Sequence, residues 1–161
     1  MAAMHREPVR SGLSPLYYLH LAGVQVQDLL AEAMATSPLD PAEYALYSLI
    51  VESGQTTATR LAEEARVPLT TMLDTVRSLE RRGHVQRRPD PRDRRAMLVA
   101  LTLEGLAVHR AASSHFELAD AALRAHLAVD AHGLSASLSA LADAAARATQ
   151  SLHDRRQGAT G

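Results

Sequence analysis

Cysteine is absent from the chain, which excludes disulfides, thiol catalysis, thiol redox sensing and cysteine-bound zinc. Tryptophan is absent too, and four Tyr and one Phe are the only aromatic residues among 161. A sandwich or barrel calls for more aromatic and β-branched residues, so the abundant Ala and Leu point to a helical chain. Lysine is missing as well; all 17 basic residues are Arg, a usage that GC-rich coding accounts for without a functional cause. No uninterrupted apolar run reaches the ~18 residues of a membrane span, so neither a span nor a signal peptide is expected, and the expected location is the cytoplasm. No Gly-rich phosphate loop, no Gly-x-Ser-x-Gly and no nucleophile in an activating context occurs. The chain reads as no enzyme and calls for no cofactor.

What is present is ordinary soluble globular usage, 47% apolar and 22% charged, enough for one domain or two small ones. The net charge of −1 conceals an asymmetry. From Thr56 to Arg95 ten Arg face six acids, and between Arg81 and Arg95 seven Arg face two Asp. Such a local excess suits a phosphate-bearing partner, although a solvated charged face has the same composition.

Apolar periodicity organises the rest. Leu16, Leu19, Gly23, Val26, Leu30 and Ala33 recur at gaps of three and four, the stripe of one helix ending before Ser37-Pro38. Asp40-Pro41 opens a second helix that runs through Tyr44, Tyr47 and Ile50 to Gly54. A short helix over Thr59–Ala65, a break at Val67-Pro68 and a helix over Leu69–Arg82 ended by Gly83 follow, which is helix-turn-helix order. Next come strand-like His84–Arg88 and Ala96–Leu101, separated by the turn sequence Pro89-Asp90-Pro91-Arg92-Asp93-Arg94-Arg95. A β-hairpin with an Arg-rich tip directly after a helix-turn-helix is a winged helix. Its second helix is suited to a DNA major groove and its tip to the adjoining minor groove. Thr102 N-caps a long helix with stripe Val108, Ala112, Phe116, Ala119, Leu123 and Leu127. After a break near Val129–Gly133, a last helix carries Leu134, Leu138, Leu141, Ala145, Ala148 and Leu152. Both stripes suit helix-on-helix packing.

In this order of elements the chain resembles the MarR family of transcription regulators. Asp90-Pro-Arg-Asp-Arg-Arg95 followed by Leu98-Val-Ala-Leu-Thr-Leu-Glu-Gly105 is similar to that family's wing and its entry into the next helix. Leu61-Ala-Glu-Glu64 and Leu79-Glu-Arg-Arg-Gly-His-Val85 resemble its helix-turn-helix edges. The expected fold is mainly α with a small β-hairpin wing: a winged helix-turn-helix DNA-binding domain over 37–102 and a helical dimerisation region over 13–36 and 103–156. Residues 1–12 are expected to form a flexible arm and 157–161 a disordered tail. The resemblance implies a homodimer; three long apolar stripes that a small winged domain cannot cover lead there independently, though an intramolecular bundle would also cover them.

The expected partner is double-stranded DNA. With Met72, Val76 and Leu79 turned inward, Thr70, Thr71, Leu73, Asp74, Arg77 and Ser78 are left for base contact. Leu73 and Asp74 depart from the basic or small polar residues common in the family. Asp74 either accepts from a cytosine amino group or pairs within the helix with Arg77 or Ser78. In the wing, Arg87 and Arg88 suit phosphates, Arg92 and Arg95 flank the tip, and by resemblance Asp93 orients Arg94 into the minor groove. Family members commonly bind a small aromatic or phenolic effector, for which Tyr17, Tyr18, Tyr44, Tyr47 and the neighbouring His20 are candidates; core packing is the plainer role for any one tyrosine. Eight His invite a metal site, but close ligand spacing is missing, so none is expected. The rival from a different class is a winged-helix protein-interaction module that reads no DNA sequence, with Asp74 and Leu73 facing its partner.

Overall fold

The computed structural model describes residues 14–93 and 95–158. The chain runs α1 (Pro15–Ala33), α2 (Pro41–Ser53), β1 (Thr56–Thr57), α3 (Ala58–Ala65), α4 (Leu69–Arg81), β2 (Val85–Pro89), β3 (Met97–Leu101), α5 (Leu103–His126) and α6 (Ala131–Gly158). It divides into two compact units, the first ending at Ala119 and the second beginning at Asp120.

Local chemistry sets the helix ends of the first unit. Asp40 accepts a hydrogen bond from the Glu43 N–H at 2.8 Å to start α2, with Pro41 at the first helical position. Thr57 does the same for α3 through the Arg60 N–H at 3.2 Å. Arg66 ends α3 in the left-handed region, at φ 54°, and sets the tight turn into α4. The sheet is three-stranded and antiparallel in the order β1-β3-β2, with Thr56 opposite Val99 and Val85 opposite Leu101. The expected wing hairpin thus gains a third strand, since the two residues of β1 pair along the far side of β3.

The core joins α2, α3, α4 and the sheet through Tyr47, Ile50, Leu61, Val76, Leu79 and Val99, each with under 2% exposure. From α5 Ala112 joins this cluster, with Leu106 and Val108 half-buried against it. By contrast α1 buries no residue, and Leu16, Leu21, Val24 and Val26 stand exposed along it.

The start of α5 and its middle are each fastened to the winged part. At its first turn the Thr102 N–H donates to the His84 carbonyl at 3.0 Å. The Thr102 hydroxyl donates to the Gly83 carbonyl at 2.6 Å and accepts from the Gly105 N–H at 3.1 Å. Gly105 lies so close beneath the His84 carbonyl that a methyl group there would overlap it. Further along, Tyr44 of α2 is stacked between His109 and Phe116 of α5, at ring separations of 5.1 and 4.9 Å. Ser48 meets the His109 ring at 3.0 Å. His115 reaches the Ala33 carbonyl at 3.2 Å, tying the end of α1 to the same face.

In the second unit, the end of α5 carries an Arg124–Asp120 pair at 2.6 Å. The Asp130 carboxylate accepts from the Gly133 N–H at 2.6 Å and starts α6. Gly133 therefore belongs to the first turn of α6 and not to the expected break. Gln157 and Gly158 continue the helix where a disordered tail was expected; the expected arm at 1–12 and the last three residues lie outside the described residues. Along α6, Leu138 and Leu152 are about half exposed, at 49% and 59%.

Two outcomes follow. Gly105→Ala forces the first turn of α5 off the His84 carbonyl and should lower stability by about 1–3 kcal/mol in urea titration. An unchanged midpoint would mean that this contact constrains nothing. Burial pushes the His109 imidazole below its ordinary value of 6.5, so the folded chain prefers it neutral. That stabilisation is fully present above about pH 6.5 and is lost as pH falls through the lower, folded value. The urea midpoint of the wild type should therefore drop more steeply than that of His109→Gln between about pH 7.5 and pH 5, and parallel drops would contradict it.

Candidate nucleic-acid interface

Helix α4 turns Met72, Val76 and Leu79 into the core, each at 3% exposure or less. Helical spacing then leaves Thr70, Asp74 and Arg77 together on the opposite, exposed face. Thr71 is exposed beside them, while Leu73 and Ser78 are half-buried on its flanks. The Arg77 guanidinium donates from Nη1 to Asp74 Oδ1 at 2.9 Å. The intrahelical pairing weighed for Asp74 is thus the one found.

The wing tip is held by its acids. Asp90 accepts from the Arg92 N–H at 2.8 Å and Asp93 from the Arg95 N–H at 2.9 Å. Backbone bonds from Asp90 N–H to the Ala96 carbonyl, 3.0 Å, and from Ala96 N–H to the Asp93 carbonyl, 2.9 Å, close the turn. Resemblance gave Asp93 the task of orienting an Arg side chain; here its Oδ1 shapes the backbone of the tip. Arg94 lies outside the described residues.

The cations divide into two sets. Arg87 is engaged by Glu80 of α4 at 2.6 Å, and that hydrogen bond holds the Glu80 carboxyl below the usual carboxylate range. Arg82, at the end of α4, is paired with Glu43 of α2. Arg88, Arg92 and Arg95 are exposed and carry no ion pair among the described residues. A cleft of about 270 Å³ separates the recognition helix from the wing base, with Leu73, Arg87, Arg95, Met97, Thr57 and Thr59 on its walls. Thr57 and Thr59 were not singled out in the sequence, because only the pairing of β1 with β3 brings them beside the wing.

The expected effector residues do not converge. Tyr17 and Tyr18 meet edge to face on α1 at 5.9 Å, with His20 exposed one turn on. Tyr47 is fully buried, and its hydroxyl lies 2.7 Å from His84 Nδ1. Tyr44 and Tyr47 border an open crevice of about 880 Å³ along α2, together with Leu30, Met72, Leu79 and Phe116. Among the described residues no cluster of three or more His, Asp or Glu is placed to hold a metal ion, and no helix is long and apolar enough to cross a membrane.

The family model for the sugar-specific transcriptional regulator TrmB matches residues 38–104, from just before α2 to the first turn of α5. No curated protein matches the chain in sequence. Among solved structures, the PcaV transcriptional regulator from Streptomyces coelicolor, in complex with its natural ligand, is 27% identical. The match covers 90% of this chain and 99% of that one, with a TM-score of 0.69. The transcriptional repressor CouR, bound to a 23-mer DNA duplex, is 24% identical over 82% of this chain and 92% of that one, TM-score 0.68. Apo MarR from E. coli is 21% identical over 82% and 97%, TM-score 0.65. With a helix-turn-helix, an Arg-bearing wing and flanking long helices in the same order, the chain shares the winged helix-turn-helix fold of MarR-type transcription regulators.

Proposed function

We propose that the protein is a cytoplasmic homodimeric repressor that reads an inverted-repeat operator, its two α4 helices entering successive major grooves about 10 bp apart. The observation that carries this is the division of the cations: Arg88, Arg92 and Arg95 are exposed and carry no ion pair among the described residues, and Arg95 lines one cleft with Leu73 of α4. Unpaired cations at a hairpin tip meet phosphate or a narrow minor groove at little cost, because no ion pair has to be broken first. Thr70, Thr71, Leu73, Asp74, Arg77 and Ser78 face the bases, and Arg94 with Asp93 belongs to the same tip. Likeness to CouR, a repressor described with DNA bound, supports the same function.

The dimer is formed by residues 13–36 and 103–156. Exposed Leu16, Leu21, Val24 and Val26 on α1, and Leu138 and Leu152 on α6, leave apolar surface that a second copy would bury. The crevice along α2 admits a small aromatic or phenolic effector beside Tyr44; likeness to PcaV, described with its natural ligand, supports a ligand-responsive regulator. Effector binding there shifts the winged parts relative to each other and lowers operator affinity.

Salt titration of DNA binding tests the wing's share. Each of Arg88→Ala, Arg92→Ala and Arg95→Ala should flatten the log–log salt slope by about 1, whereas Arg94→Ala should weaken operator binding by about 1–3 kcal/mol. A wild-type slope near zero would overturn the phosphate contacts altogether. Sedimentation at micromolar concentration should give twice the chain mass of 17.3 kDa; a monomer there would overturn the dimer.

A further inference from the structure

A carboxylate on the exposed face of a DNA-binding helix needs a reason, because the groove it enters is lined with phosphates. Asp74 sits in the middle of that face in α4, between Thr70 one turn before and Arg77 one turn after. Its side chain is 76% exposed and Arg77 is 57% exposed. Exposure this high gives the pair almost no stabilising value as a surface ion pair. What it does have is a direct contact between the two side chains. Asp74 Oδ1 accepts from Arg77 Nη1 at 2.9 Å, and among the described residues the other guanidinium nitrogens of Arg77 and the second oxygen of Asp74 make no hydrogen bond.

We propose that Asp74 is a specificity-determining residue of this protein, a role that rests on the DNA-binding function proposed above. Asp74 holds the Arg77 guanidinium so that its free N–H groups meet O6 and N7 of a guanine. Its own free oxygen accepts from the amino group of a cytosine in the same or the next base pair. Where the groove edge at that position presents neither a cytosine nor an adenine amino group, the carboxylate finds no donor, and its charge opposes the approach of α4 to the phosphates. The two halves of the interface thereby differ in kind. The wing offers unpaired cations that attract any duplex, while α4 presents a face on which Asp74 and Arg77 cancel, so that its contribution depends on base pattern rather than on charge.

The test is selection of bound duplexes from a randomised library by the full-length protein, its Asp74→Asn and Asp74→Ala variants and Arg77→Ala. Titration of the selected and a random duplex at one fixed salt concentration follows. The wild type should enrich a G·C pair at one fixed position of each half-site. Arg77→Ala should lose that preference. Asp74→Asn, which keeps the size of the side chain, and Asp74→Ala should bind random duplex more tightly than the wild type does. Their discrimination for the G·C pair should fall by about tenfold, the scale of one bidentate base contact. Thermal melting of each variant alone reports folding, which an exposed pair should barely affect. If both Asp74 variants select the same base with undiminished discrimination, the pair is only a helix contact and the proposal is overturned. A wild type that enriches no sequence overturns the DNA-reading function itself, and the role of Asp74 with it.

Discussion

The winged part depends on how the first turn of α5 is fastened beneath the turn between α4 and β2. Thr102 uses its backbone N–H and its hydroxyl on two consecutive carbonyls, those of His84 and Gly83, while the same hydroxyl caps the helix. Gly105 has no side chain to hold α5 off the His84 backbone. The recognition helix ends, the wing begins and the long helix starts within one hydrogen-bonded junction. His84 also reaches Tyr47 in the centre of the core, so the junction and α2 form one packed body. The start of α5 and the base of the wing therefore share one set of hydrogen bonds. The Tyr44 stack on His109 and Phe116 makes a second fastening of α2 to α5 further along, beside the crevice in which an effector is proposed.

Electrostatics is apportioned by the fold in a way that charge counting does not convey. The excess of Arg between Arg81 and Arg95 looks uniform along the chain. In three dimensions Arg82 and Arg87 are committed to Glu43 and Glu80 and lock α4 to α2 and to β2. Among the described residues of that segment, Arg81 at the end of α4 and Arg88, Arg92 and Arg95 in the wing carry no ion pair, and the wing's own aspartates accept from backbone N–H groups. The acids of the wing thus order its backbone, while Arg88, Arg92 and Arg95 carry no ion pair among the described residues.

Much of the fold was legible in the sequence because its signals are local. Asp40-Pro41, Gly54, Gly83 and Thr102 mark helix ends through capping chemistry that acts over three or four residues, and the inward face of α4 follows from spacing alone. The signals that failed are those requiring distant partners. Two residues of β1 are too few to show alternation, and their partner strand is reached only after the entire helix-turn-helix. Gly133 resembles a break, yet an aspartate three residues earlier caps a helix over it. The candidate site was legible in composition and not in detail. Charge placed the candidate cations within one segment, but the Arg87–Glu80 pairing depends on how β2 leaves α4, and the depth of Tyr47 depends on packing that no periodicity specifies.

The central claim is that α4 and the wing together read a particular DNA sequence. It is tested most directly by gel-shift titration against the duplex upstream of the protein's own gene, with excess random DNA as competitor. Binding that resists the competitor, with a protected footprint of two half-sites about 10 bp apart, is the result predicted. Binding that random DNA abolishes, on that duplex and on sequences selected from a random library alike, would reduce the interface to charge attraction and contradict the account.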